Sequence, residues 1–196
     1  MASKERLPEE EWHRKAAVDL FNAVWRLLDK PRRSKREDEW MVHAAHASRH
    51  HWGVVGTPVN LAIGEWQVSH VYAVLRREEP ATHHARACLR MCTTNGIIGF
   101  PLAFAYEALA RADALAGRRR DLRLHLTKAY EAGIRIPEED EREEFFRQLT
   151  TVARVRPRRP TRGRAGPRRS RRRPRPRPIA APPARPRAFS RRTGRT

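Results

Sequence analysis

Apolar residues recur at helical spacing along most of the chain. Over residues 8–29, Trp12, Ala16, Leu20, Ala23, Val24, Leu27 and Leu28 gather on one side of a helical period. Three acids follow Pro8, where a helix start favours negative charge. Pro31 and a basic run to Arg36 break this pattern, and a second helix is expected over about 38–52, stopped by Gly53 and Gly56. Thr57-Pro58 supplies an N-cap and a proline at the first helical position, opening a third helix that runs to about 76. Pro80 starts a fourth, ending near Asn95-Gly96, and Pro101 a fifth, ending at Gly117. A sixth covers about 119–132, and Pro137-Glu138-Glu139-Asp140 opens a seventh that ends near Val152. No stretch alternates apolar and polar residues long enough for a strand. The expected class is all-α. Short connections favour antiparallel helix hairpins.

The helices also echo one another at a spacing of 41 residues. His43, His84 and His125 stand in one such column, and Trp25, Trp66 and Glu107 in another. Ala47, Cys88 and Ala129 place small residues where paired helices must approach closely. The segment YAVLRREEPATHHARACL, residues 72–89, resembles the second half of a tetratricopeptide repeat. It carries the aromatic Tyr72, the turn pair Leu75-Arg76, then Ala81 and Cys88-Leu89. Residues 109–130 resemble it again through Leu109, Ala110, the turn glycine Gly117 and Ala129, with Leu122 in place of the usual alanine. Residues 9–52 fit worst, with Trp40 standing where Ala81 stands in the next unit. The spacing exceeds the usual repeat of about 34 residues, which implies longer helices.

The resemblance implies a short superhelix. Residues 1–153 would form a helical-repeat domain, with pairs at about 9–52, 57–95 and 99–133 and a capping helix at 137–152. The first helix of each pair would line a concave groove that holds a peptide or partner helix. Carried over position by position, the groove residues would be Trp25, Trp66 and Glu107, then Asp29, His70 and Arg111, with Asn22, Ile63 and Phe104 on the neighbouring stripe. Aromatic rings would supply contact area there and polar groups would fix orientation. The competing reading makes both tryptophans ordinary packing residues.

Charge divides the chain sharply. Lys and Arg number 42 against 22 acids, a formal net charge of +20. From 154 to 196 there are 18 Arg and 9 Pro, with no Lys and no acid, so the first 153 residues are nearly neutral. Such a tail cannot bury a core, and disorder is expected. Its arginines, among them Arg168, Arg169, Arg171, Arg172 and Arg173, would bind RNA or DNA by neutralising phosphates, without reading sequence. The same composition is also what a GC-rich gene yields when read out of frame, and both origins stand.

Candidate chemistry is sparse. His43, His46 and His50 lie on one side of a helix, and neighbours four apart can chelate a divalent ion. This metal site is the alternative to the interaction reading, with His51, His70, His83 and His84 as further donors; solvated or packed histidines are the simpler account. Cys88 and Cys92, one turn apart, read as reduced, buried small hydrophobes. No phosphate loop, dinucleotide fingerprint or nucleophile elbow occurs. No apolar run reaches the length of a membrane span, and residues 1–15 lack the apolar core of a signal peptide. The expectation is a cytoplasmic, non-enzymatic interaction module for a protein or peptide, without cofactor or membrane contact.

Overall fold

Capping chemistry fixes where the helices begin. The computed structural model describes residues 7–155 and 157. It contains α1 (Glu9–Leu28), α2 (Lys35–Val55), α3 (Pro58–Val74), α4 (Glu78–Thr94), α5 (Phe100–Ala116), α6 (Arg119–Gly133) and α7 (Glu139–Val152), and no strand among the described residues. Thr57 caps α3, its hydroxyl accepting from the Asn60 amide while the Asn60 side chain accepts from the Thr57 amide. Ser34 and Glu37 form the same reciprocal box at the start of α2. Lys30 and the Ser34 amide hold the Glu37 carboxyl down at about 2. This box starts α2 at Lys35, three residues before the expected start, because the basic run is the first turn of a capped helix rather than a breaker. At its other end α2 runs through Gly53 to Val55 and stops at Gly56. The tail expected over 154–196, including Arg168, Arg169, Arg171, Arg172 and Arg173, lies outside the described residues, apart from 154, 155 and 157.

Consecutive helices pack as antiparallel hairpins, α1 with α2, α3 with α4, and α5 with α6. The first helices also meet one another: α1 touches α3, α3 packs on α5, and α5 packs on α7. Among the described residues the backbones of α2, α4 and α6 stay apart, so they form an outer row over an inner one, with side-chain contact where the His46 ring of α2 meets the His84 ring of α4 at 5.3 Å. The small residues sit at the close approaches: Cys88 and Ala129 are fully buried and Ala47 is half-buried. Gly133 ends α6 against α7, where a Cβ would come within 2.2 Å of Phe145 Cε1. Arg76 and Gly117, 41 residues apart, both take the left-handed conformation after a first helix, at φ 59° and 73°. Gly117 adopts it freely, whereas a side chain there costs roughly 1–2 kcal/mol.

Polar side chains tie the helices together. Ser48 Oγ donates to the Ala17 carbonyl and Ser69 Oγ to the Ala81 carbonyl, both at 2.8 Å, joining α2 to α1 and α3 to α4. Arg118, at the start of α6, donates to Asp113 of α5 and to Glu78 and Thr82 of α4, at 2.8, 2.8 and 3.0 Å.

Candidate functional site

The inner row carries a continuous aromatic and ionic ladder. Trp25 of α1 packs on Trp66 of α3 with centroids 5.5 Å apart. Trp66 packs on Phe104 of α5 at 4.2 Å, and Phe104 meets Phe145 of α7 edge-on at 5.1 Å. The Trp66 indole N–H donates to Glu107 Oε2 at 3.1 Å, across a spacing of 41 residues. Arg111 Nε donates to the other carboxylate oxygen at 2.8 Å, and its Nη2 pairs with the same oxygen. Nη2 also donates to Thr151 Oγ1 at 2.7 Å and the Gln148 carbonyl at 3.3 Å. His70 lies beside both tryptophans, buried, with its Nδ1 unpartnered. Burial, with the Arg111 charge adding to it, pushes the His70 imidazole well below its usual range.

This geometry revises the expected groove. Trp66, His70, Phe104, Glu107 and Arg111 are buried in the interior, Glu107 completely. Arg111 is out of reach of a partner because α7 lies over α5 and accepts its remaining hydrogen bonds, and Trp66 and His70 are covered by Trp25 of α1, with Phe104 of α5 also packed on Trp66. Trp25 and Ile63 are half-buried, and Asn22 and Asp29 are exposed. The spacing therefore brings the columns into mutual contact but turns five of the nine residues inward.

The histidines have equally local partners. His84 Nδ1 pairs with Glu65 Oε2 at 2.7 Å, and its ring stacks on Tyr72 with centroids 5.7 Å apart. At the equivalent place His125 Nδ1 pairs with Asp113 Oδ2 at 2.6 Å and stacks on Tyr106 at 6.5 Å. Glu65 and Tyr106 stand 41 residues apart, as do Tyr72 and Asp113, so carboxylate and tyrosine have exchanged places. Glu65 also accepts from Arg49 Nε at 2.9 Å; despite its burial, His84 and Arg49 hold its carboxyl below the usual range. His43 and His46 are exposed, His46 pairing with the Tyr72 hydroxyl at 2.9 Å, while the exposed His50 packs on His51. Desolvation and the neighbouring His84 lower the His46 imidazole. His43, His46 and His50 do not come together as a ligand set: among the described residues no group of three His, Cys, Asp or Glu side chains is arranged to hold a metal ion. Cys88 and Cys92 are buried and free. A hydrogen bond with Cys92, followed by burial, pushes the Cys88 thiol well above its usual value.

An open cleft of about 760 Å³ lies elsewhere, where the start of α3, the α4–α5 connection and the α6–α7 corner meet. Its walls include Val59, Ile63, Ile98, Phe100, Leu102 and Tyr106. Ile98 is 77% exposed. Lys128, Arg135, Glu131, Glu138 and Glu141 also line the cleft. Gly99, at φ 68°, and Pro101 bend the chain so that Ile98 faces outward while Phe104 turns into the core. Of the nine expected groove residues, Ile63 alone lies in this wall. Sequence reasoning missed the cleft because three separate segments build it, and the signal for it was the apolar run Ile97-Ile98 before a glycine. A smaller hollow of about 330 Å³ separates α1 from the start of α2 beside Trp40. The chain matches no family model, no curated protein and no solved structure.

Proposed function

We propose that the helical unit is a protein-interaction module that takes a peptide or one helix of a partner protein. The carrying observation is the cleft, an apolar trough with a highly exposed isoleucine and both signs of charge in its lining. Its volume falls in the range of about 300–1,000 Å³ usual for ligand sites. Apolar walls would take one or two aliphatic or aromatic side chains, and the charged groups would orient the segment that carries them. The tetratricopeptide resemblance of residues 72–89 and 109–130 supports the same reading, since such superhelices commonly receive peptides. On this reading the repeat framework serves as scaffold and the inner ladder holds it rigid. Two free, buried cysteines favour a reducing compartment, the cytoplasm.

Selection of displayed random peptides on the full chain tests this. Recovered peptides are expected to bind at least about tenfold more weakly to Ile98→Lys, since burying an unpaired charge costs several kcal/mol. Trp40→Ala, at the other hollow, should leave them unaffected. A selection that recovers nothing, or peptides indifferent to Ile98→Lys, would overturn the assignment. A second reading rests on the 18 arginines of residues 154–196: RNA or DNA binding that weakens steeply with salt and disappears on truncation after Thr151. Retention of binding by the truncated chain would exclude it.

A further inference from the structure

A pair of histidines takes no part in the ladder or the cleft. His13 lies one turn into α1, and His51 lies one turn before the end of α2. The hairpin sets those positions side by side, with the two Nδ1 atoms facing each other at 2.9 Å. The rings are inclined at 60°, with centroids 5.0 Å apart. Trp12 meets both imidazoles edge-on, at 5.0 and 5.1 Å, and is itself 51% exposed, so the pair stands beside an indole at the water boundary.

Two imidazole nitrogens this close have few favourable arrangements. One ring can donate its N–H to the lone pair of the other. If both lone pairs turn inward, they repel unless a cation stands between them. An ion about 2.0–2.1 Å from each nitrogen would subtend about 90° across the observed gap, the cis angle of a tetragonal or octahedral centre. A tetrahedral centre would need the nitrogens about 3.3 Å apart. Imidazole donors suit copper and nickel and are poor ligands for the hard ions calcium and magnesium. We propose that His13 and His51 chelate one divalent ion of the copper–nickel class through their Nδ1 atoms, with water in the remaining positions. Two protein ligands make this an exchangeable site, and the ion clamps the start of α1 to the end of α2.

The test is a titration of CuCl2 and NiCl2 into the full chain near neutral pH. Tryptophan emission and equilibrium dialysis are followed, with electron paramagnetic resonance for copper. The expected result is one ion per chain, quenched emission and nitrogen hyperfine structure from two imidazoles. His13→Ala and His51→Ala should each weaken binding by about tenfold or more, and Trp12→Phe should remove most of the quenching while stoichiometry by dialysis stays the same. His46→Ala should change nothing. Circular dichroism accompanies every variant, and His13→Ala decides the matter if His51→Ala does not fold. Failure to saturate at millimolar metal, or binding that survives His13→Ala, overturns the proposal. Binding abolished by His46→Ala also overturns it and assigns the ion to the His46/His50 pair within α2.

Discussion

The interior ladder and the outer cleft use similar residue types to opposite ends. In the ladder, Trp66, Glu107 and Arg111 satisfy one another, and Thr151 with the Gln148 carbonyl completes the guanidinium. In the cleft, Lys128, Arg135, Glu131, Glu138 and Glu141 line an apolar trough whose Ile98 has little to cover it. Charged and aromatic side chains on the first helices are therefore not in themselves a binding surface. Whether they bind a partner or hold the fold depends on what the next helix lays over them.

Substitutions that disturb one region and spare the other sharpen this contrast. The largest effect is expected from Glu107→Leu, which leaves Arg111 buried without its counter-charge and the Trp66 N–H without an acceptor. Denaturant unfolding should show a loss of about 3–5 kcal/mol. Adding Arg111→Met should recover much of that, because a buried pair replaced whole by apolar residues is often neutral. If the single variant costs no more than a surface change, the ladder is not the structural element described. Gly133→Ala comes next: its methyl would strike Phe145, and overpacking of this kind costs about 1–3 kcal/mol. A smaller loss, measured the same way, would mean that α7 shifts easily on α6.

Acidification gives a third probe. His70 is held neutral in the fold, with its imidazole below the usual range. The unfolded chain takes up this proton first, so stability due to His70 is present above the ordinary histidine value of about 6.5 and declines as pH falls below it. His70→Leu should flatten that part of the stability profile, and an unchanged slope would remove His70 from the ladder's energetics. The smallest effect is a gain. Arg76→Gly relieves a positive φ at a turn where the equivalent residue is Gly117, for about 0.5–1 kcal/mol at most, reduced by the lost contact of Arg76 with the Pro157 carbonyl. Thermal melting resolves a change of that size, and a destabilised variant would show that the contact outweighs the strain.

The helices were legible because proline, glycine and capping residues mark both ends of most of them. The start of α2 was missed although Ser34 and Glu37 have the spacing of a capping box, because the intervening Lys35-Arg36 reads as a break. The spacing of 41 residues grouped Trp25, Trp66 and Glu107 as groove residues, and these side chains instead meet one another. It could not tell inward from outward, because burial of Glu107 and Arg111 depends on α7, which lies outside the paired pattern. The approach of His13 to His51 was illegible for a different reason. It depends on where the α1–α2 hairpin turns, and no short motif records that register.

Cys88 and Cys92 give the molecule an internal clock. Both sulfurs are sealed on the face of α4 that packs into the main core, so a thiol-alkylating reagent finds no target while the helices stay together. Every labelled molecule is one in which α4 has parted from its neighbours, and the rate of labelling counts those excursions. Since Thr82 on that same helix is held by Arg118, the clock should quicken when this single guanidinium is removed, even if the average structure stays the same.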